Sequence, residues 1–103
     1  MTVKIFKLTT GEEVIGTEEE STRDGITLKS PAVILMRQTQ DGKFSVALAP
    51  YMAYAEFGKV YVYRTAIAAD CEPDIQMVNE YNRIYGSGIE IANVMPSSSI
   101  QLS

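Results

Sequence analysis

Any chemistry in this chain has to be built without histidine. None is present, which removes the commonest general base and metal ligand, and any Ser-His-Asp or Cys-His arrangement with it. The single cysteine, Cys71, has no second cysteine or histidine with which to form a disulfide or a zinc site. Lone glycines follow Thr10, Asp24, Asp41 and Phe57, and none belongs to a Gly-rich phosphate loop. Carboxylates remain, in Glu12-Glu13 and Glu18-Glu19-Glu20, and two acids can divide acid and base roles where a cleft separates their pKa values. These acids sit in polar, turn-like stretches, where a charge run is ordinarily a solvated strand end. The residues therefore predict a domain that is not an enzyme and takes no cofactor and no metal.

Aromatic residues are the more suggestive group. Tyr51, Tyr54, Phe57, Tyr61 and Tyr63 crowd into one stretch close to Lys59 and Arg64. Rings interleaved with cations can stack unpaired bases and hold their phosphates. The same tyrosines would serve equally in a barrel wall or a subunit interface, where an apolar body with a polar tip is useful. The formal net charge of −4 argues against generic coating of a duplex, which calls for a basic protein. It leaves room for a local site for a few nucleotides, because net charge averages over all faces.

The elements that must position these residues are mostly strands. Val3 to Thr10 is short and rich in β-branched and aromatic residues, and Gly11 then turns it into a second strand, Glu12 to Glu20. Gly16 in mid-strand predicts a bulge or bend. Asp24-Gly25 marks the next hairpin, leading to Ile26–Gln38 with an interruption at Pro31. After Asp41-Gly42, Phe44, Val46 and Leu48 alternate with Lys43, Ser45, Ala47 and Ala49, Pro50 bends the chain, and the strand continues to Phe57. Lys59 to Ala69 is apolar on both faces and predicts a strand covered on both sides, with a second subunit as the natural cover. Beyond it, Pro73 and the acids Asp70, Glu72 and Asp74 suit a helix start, and Gly86 and Gly88 suit its end. Ile75, Met77, Val78, Tyr81, Ile84 and Tyr85 make an apolar stripe at helical spacing.

At 103 residues the chain fits one domain. The expected organisation is a β-barrel over residues 1–69, a C-terminal helix over 70–88, and a Ser-rich tail over 89–103. No run approaches about 18 consecutive apolar residues, and the first residues carry no signal-peptide pattern. No membrane association is expected, and the predicted location is the cytoplasm of the cell that makes the protein.

The opening Lys4-Ile5-Phe6-Lys7-Leu8-Thr9-Thr10-Gly11-Glu12-Glu13-Val14-Ile15-Gly16 resembles the small Sm-like (LSm/Hfq-type) proteins of marine phages, chiefly cyanophages. It is similar to the first Sm motif, with Gly11 and Gly16 matching the motif glycines and Ile26-Thr27-Leu28 the start of the third strand. The resemblance covers roughly residues 3 to 67. It implies a mostly β fold, a small bent five-stranded antiparallel barrel of the Sm-like (SH3-type) kind, carrying its helix at the C-terminal end. It further implies a homo-oligomeric ring of about five to seven copies, with single-stranded RNA as partner and the host cytoplasm as location if the gene is phage-borne. Arg23 and Asp24 on one loop, and Phe57, Gly58 and Lys59 on another, become the candidate RNA contacts. Tyr51, Tyr54, Val60, Tyr61, Val62 and Tyr63 become the candidate subunit interface. Three features depart from the family: the missing N-terminal helix, Asp24-Gly25 where a base-clasping Asp and Asn are usual, and Phe57-Gly58 where Arg-Gly is usual. They make a protein-docking ring adaptor without RNA the alternative.

Overall fold

The computed structural model describes residues 2–86. The expected tail over 89–103 and the cap at Gly88 lie outside them. Two compact units divide between Pro73 and Asp74.

The first unit is a six-stranded antiparallel sheet: β1 (Thr2–Leu8), β2 (Glu13–Ser21), β3 (Gly25–Gln38), β4 (Phe44–Pro50), β5 (Lys59–Tyr63) and β6 (Ile67–Cys71). The strands run in the order β4-β3-β2-β1-β6, with β5 paired to β3 off that path. The fold is thus mostly β, as expected, but it has six strands, and they are not closed into the expected five-stranded barrel. The physical reason lies in Arg64–Ala66. This 3-10 turn splits the expected strand Lys59–Ala69 in two, so β5 goes on to β6 through a turn and not through a ladder. Backbone bonds fasten the turn, from Arg64 N–H to the Asp24 carbonyl (2.9 Å) and from Thr9 N–H to the Ala66 carbonyl (2.8 Å).

β3 is fourteen residues long and serves two partners in succession. Its first half, Gly25–Lys29, lies between β2 and β5. Its second half pairs with β4 from Ala32↔Pro50 to Gln38↔Phe44. The bend between the halves falls at Ser30, whose φ is +51°, directly before Pro31. The proline does end one pairing pattern, although the strand runs on through it. Gly16 meets its expectation: the β2–β3 register shifts between Ile15 and Thr17. The extension predicted from Tyr51 to Phe57 is absent, and a 3-10 turn at Glu56–Gly58 stands at its end.

Phe6, Leu8, Val14, Ile26, Leu28 and Val62 form the core, with Val33, Tyr51, Val60 and Ile67 packed against it. Along β5 the side chains alternate, Val60 and Val62 inward and Lys59, Tyr61 and Tyr63 outward. The expected strand covered on both faces is therefore half wet. That property belongs to β2 instead, where the neighbours Val14 and Ile15 are both buried.

The second half of β3 and β4 form a two-stranded arm. Its cross-strand pairs put Ile34, Met36, Phe44, Val46 and Leu48 on one face, and Met36 and Phe44 are about two-thirds exposed, at 65% and 66%. Asp41 closes the tip by accepting hydrogen bonds from the Thr39 hydroxyl and the Lys43 amide, which hold its carboxyl below the ordinary range.

The second unit contributes α1 (Ile75–Tyr85), capped by Asp74, which accepts from the Met77 amide at 2.9 Å. Tyr81 is buried and its ring lies 5.4 Å from that of Tyr85. The apolar stripe is narrower than predicted, because Ile75 and Ile84 are exposed.

Candidate functional site

The two groups of candidate RNA contacts sit at opposite ends of one short ladder. Arg23 and Asp24 occupy the β2–β3 turn, beside the pair Gly25↔Tyr63. Phe57, Gly58 and Lys59 lie beside the far pair, Lys29↔Lys59. At strand spacing the ends are about 14 Å apart, so the loops do not converge on one base. They bracket a surface instead.

That surface is the outer face of β5 and the first half of β3. Tyr61 and Tyr63 project from it, 41% and 63% exposed, with ring centroids 5.2 Å apart in an edge-to-face contact. The Tyr61 ring lies directly over Gly25: a Cβ placed on Gly25 would fall 2.6 Å from Tyr61 Cζ. The Tyr61 hydroxyl shares a 2.8 Å hydrogen bond with the Thr22 hydroxyl. Gly25 and Thr22 thus fix one ring, and the second ring leans against the first.

Arg64 extends the surface at the turn end. Its Nε donates to the Thr22 carbonyl at 2.8 Å and its Nη2 to Ser21 Oγ at 2.5 Å. These partners are neutral, and no carboxylate lies within ion-pair distance among the described residues, so the guanidinium keeps its charge for a ligand. Sequence reasoning placed Arg64 near the aromatic cluster but left it out of the candidate contacts. The signal that could have found it is the break in a β-branched and aromatic run at Arg64-Thr65-Ala66.

At the other end, Lys59 pairs with Glu19 at 3.3 Å, which cancels much of its local charge. Phe57 is 81% exposed and has φ +57°, followed by Gly58 at φ +66°. Left-handed backbone is costly for a β-carbon-bearing residue. Exchanging Phe57→Gly is expected to stabilise the fold by about 1 kcal/mol, a rise of a few degrees in a thermal melt. An unchanged or lowered midpoint would show that the exposed ring contributes packing that offsets its backbone strain.

Of the candidate interface residues, Tyr54, Tyr61 and Tyr63 are exposed. Val62 is buried in the chain's own core, and Val60 and Tyr51 pack against that core, so these three stabilise the chain's own fold. The exposed apolar residues of the arm were not among the candidates. Their alternation was visible, but which alternating strand would lack cover was not.

A separate hollow of about 180 Å³ lies on the β1–β6 side, lined by Ile5, Lys7, Glu13, Ala69, Asp70 and Cys71. The Lys7–Glu13 ion pair, at 3.4 Å, stands on its rim. Nearby, Lys4 donates to Asp70 at 3.1 Å, a bond that raises the Lys4 pKa above its ordinary value. Among the described residues no group of three or more His, Cys, Asp or Glu is arranged to hold a metal, and no helix is long and apolar enough to cross a membrane.

No protein-family model matches the chain, and no curated protein matches it. Its function has to be argued from the surfaces just described.

Proposed function

We propose that the chain is the subunit of a homo-oligomeric ring of the Sm-like kind, and that the ring holds single-stranded RNA. The observation that carries the assembly is the arm. A two-stranded ribbon is marginal in water, yet this one presents Ile34, Met36, Phe44, Val46 and Leu48 on a single face with two of them largely exposed. The fitting cover is a second copy. β4, β5 and β6 each have one edge without a partner strand among the described residues, so each molecule offers unlike strand edges. An edge of one kind joining an edge of the other gives a head-to-tail contact, which closes into a ring when the rotation permits. Charge favours the same arrangement. The arm bears Arg37 and Lys43 against Asp41, whereas the whole chain is at −4, so a cationic arm meets an acidic body.

The Sm-like reading draws on the opening sequence and on strand order. β1, β2, the first half of β3, β5 and β6 follow one another around the core, with β4 as an outward extension. The exposed tyrosines and Arg64 support the RNA role. A second reading, a ring adaptor that docks proteins without RNA, is favoured by the acidic balance and by the exposed loop residues Met52, Tyr54 and Phe57.

Native mass spectrometry of protein purified without nuclease treatment tests the proposal. The expected species is a closed ring of about five to seven identical chains carrying nucleic acid. A ring free of nucleic acid would leave the adaptor, and a monomer would overturn the assembly itself.

A further inference from the structure

We infer that single-stranded nucleic acid is held on the outer face of β3 and β5 by stacking on Tyr63 and Tyr61, with Arg64 taking a phosphate, and not by the two loops that flank this face. The inference rests on the RNA part of the reading above and gives it a site. Three observations support it. Tyr63, the more exposed ring, is held by an edge-to-face contact with Tyr61, and Tyr61 is itself fixed by Thr22 and by the close approach to Gly25. A platform fixed before binding loses little side-chain freedom when a base arrives. Arg64 adjoins the platform, fixed by neutral acceptors and with no carboxylate in ion-pair distance among the described residues. The face runs the length of the β5 ladder, enough for a short run of extended nucleotides rather than one clasped base.

Local charge also decides what kind of binding this is. Lys59 is paired to Glu19, and Arg64 is the cation that hydrogen bonds fix beside the rings. Stacking carries the affinity and base chemistry is read weakly, because every base has a π-face. The salt dependence is correspondingly shallow. One or two phosphate contacts on a single strand give a slope of about −0.7 to −1.4 in log K against log salt.

The test is fluorescence anisotropy with short labelled rU and dT oligomers over a salt series, using the full chain in its native assembly. The expected result is binding with a slope in that shallow range. Tyr63→Ser is expected to weaken it about tenfold or more, and Tyr63→Phe, which keeps the ring, to leave it within about twofold. Preference for rU would assign the platform to RNA, and equal binding of dT to either nucleic acid. A parent that binds while Tyr63→Ser binds equally well would overturn this site and leave the RNA role standing. A parent that binds neither oligomer would overturn both and turn the ring toward protein partners. Because Tyr63 is outside the core, a native mass spectrum of each variant shows whether its assembly is intact.

Discussion

Gly25→Ala is expected to lower the thermal midpoint by about 15 °C, corresponding to roughly 3 kcal/mol in a domain of this size. The added methyl would lie 2.6 Å from both Tyr61 Cζ and the Val62 carbonyl oxygen, and 2.7 Å from Tyr61 Cε2. The tyrosine ring could swing outward, since it is partly exposed, but the carbonyl is backbone. Moving it means displacing β5 from the β3 ladder at Gly25↔Tyr63 and Ile26↔Val62, where Ile26 and Val62 are core residues. The double variant Gly25→Ala/Tyr61→Ala should therefore recover only part of the loss. Thermal unfolding followed by circular dichroism at matched concentration reads both. A midpoint within a few degrees of the parent would mean that the β3–β5 approach is looser than these distances require.

The second large effect concerns assembly. Val46→Glu combined with Phe44→Glu is expected to weaken subunit association by more than about a hundredfold, because each apolar side chain covered at a contact contributes roughly 1.5–3 kcal/mol. The two carboxylates would also replace apolar contact with unpaired charge, at a further desolvation cost. Both residues are exposed within the subunit, so the isolated fold should keep its secondary structure while the oligomer is lost. Sedimentation velocity across a dilution series separates the outcomes. Persistence of the parental species would remove the arm from the interface and move attention to the free edge of β6.

Much of this architecture was legible in the residues, for identifiable reasons. The hairpins at Gly11, Asp24-Gly25 and Asp41-Gly42, the irregularity at Gly16 and the helix starting after Pro73 are each marked by local chemistry. What was hidden depended on tertiary environment. Val60 to Tyr63 read as apolar on both faces because a tyrosine counts as apolar whether its ring is covered or wet, and only the fold shows that Tyr61 and Tyr63 face outward. The division of Lys59–Ala69 at Arg64 was obscured because Arg64-Thr65-Ala66 contains neither glycine nor proline. Even the correct reading of Asp24-Gly25 had an incomplete cause. Gly25 is absent from the positive-φ glycines, so its glycine is required by the ring lying on it and not by the turn alone.

At the candidate site, the residue types are legible in the sequence, whereas their arrangement in space is not. The candidate RNA contacts are Arg23 and Asp24 on one loop and Phe57, Gly58 and Lys59 on another, and the five-pair ladder between them keeps the loops apart. The two tyrosines between were assigned to the subunit interface, and Arg64 was left unassigned, although together they form the continuous outer face. No local pattern distinguishes a tyrosine that waits for a neighbour from one that waits for a base.

The pairing of β1 with β6 also bears on how the chain is made. Ile5 to Leu8 must find Ile67–Cys71, the most distant strand partnership in the sequence. Until that late segment has left the ribosome, the nascent chain has β1 and β2 joined with the outer edge of β1 bare, and the core residues Phe6 and Leu8 lie on that edge strand. An unpaired apolar edge invites the wrong partner, and nonlocal pairing of this kind forms slowly. Chains stalled before Ile67 should therefore be the ones that aggregate and are cleared, whereas completion of β6 commits the chain to its fold.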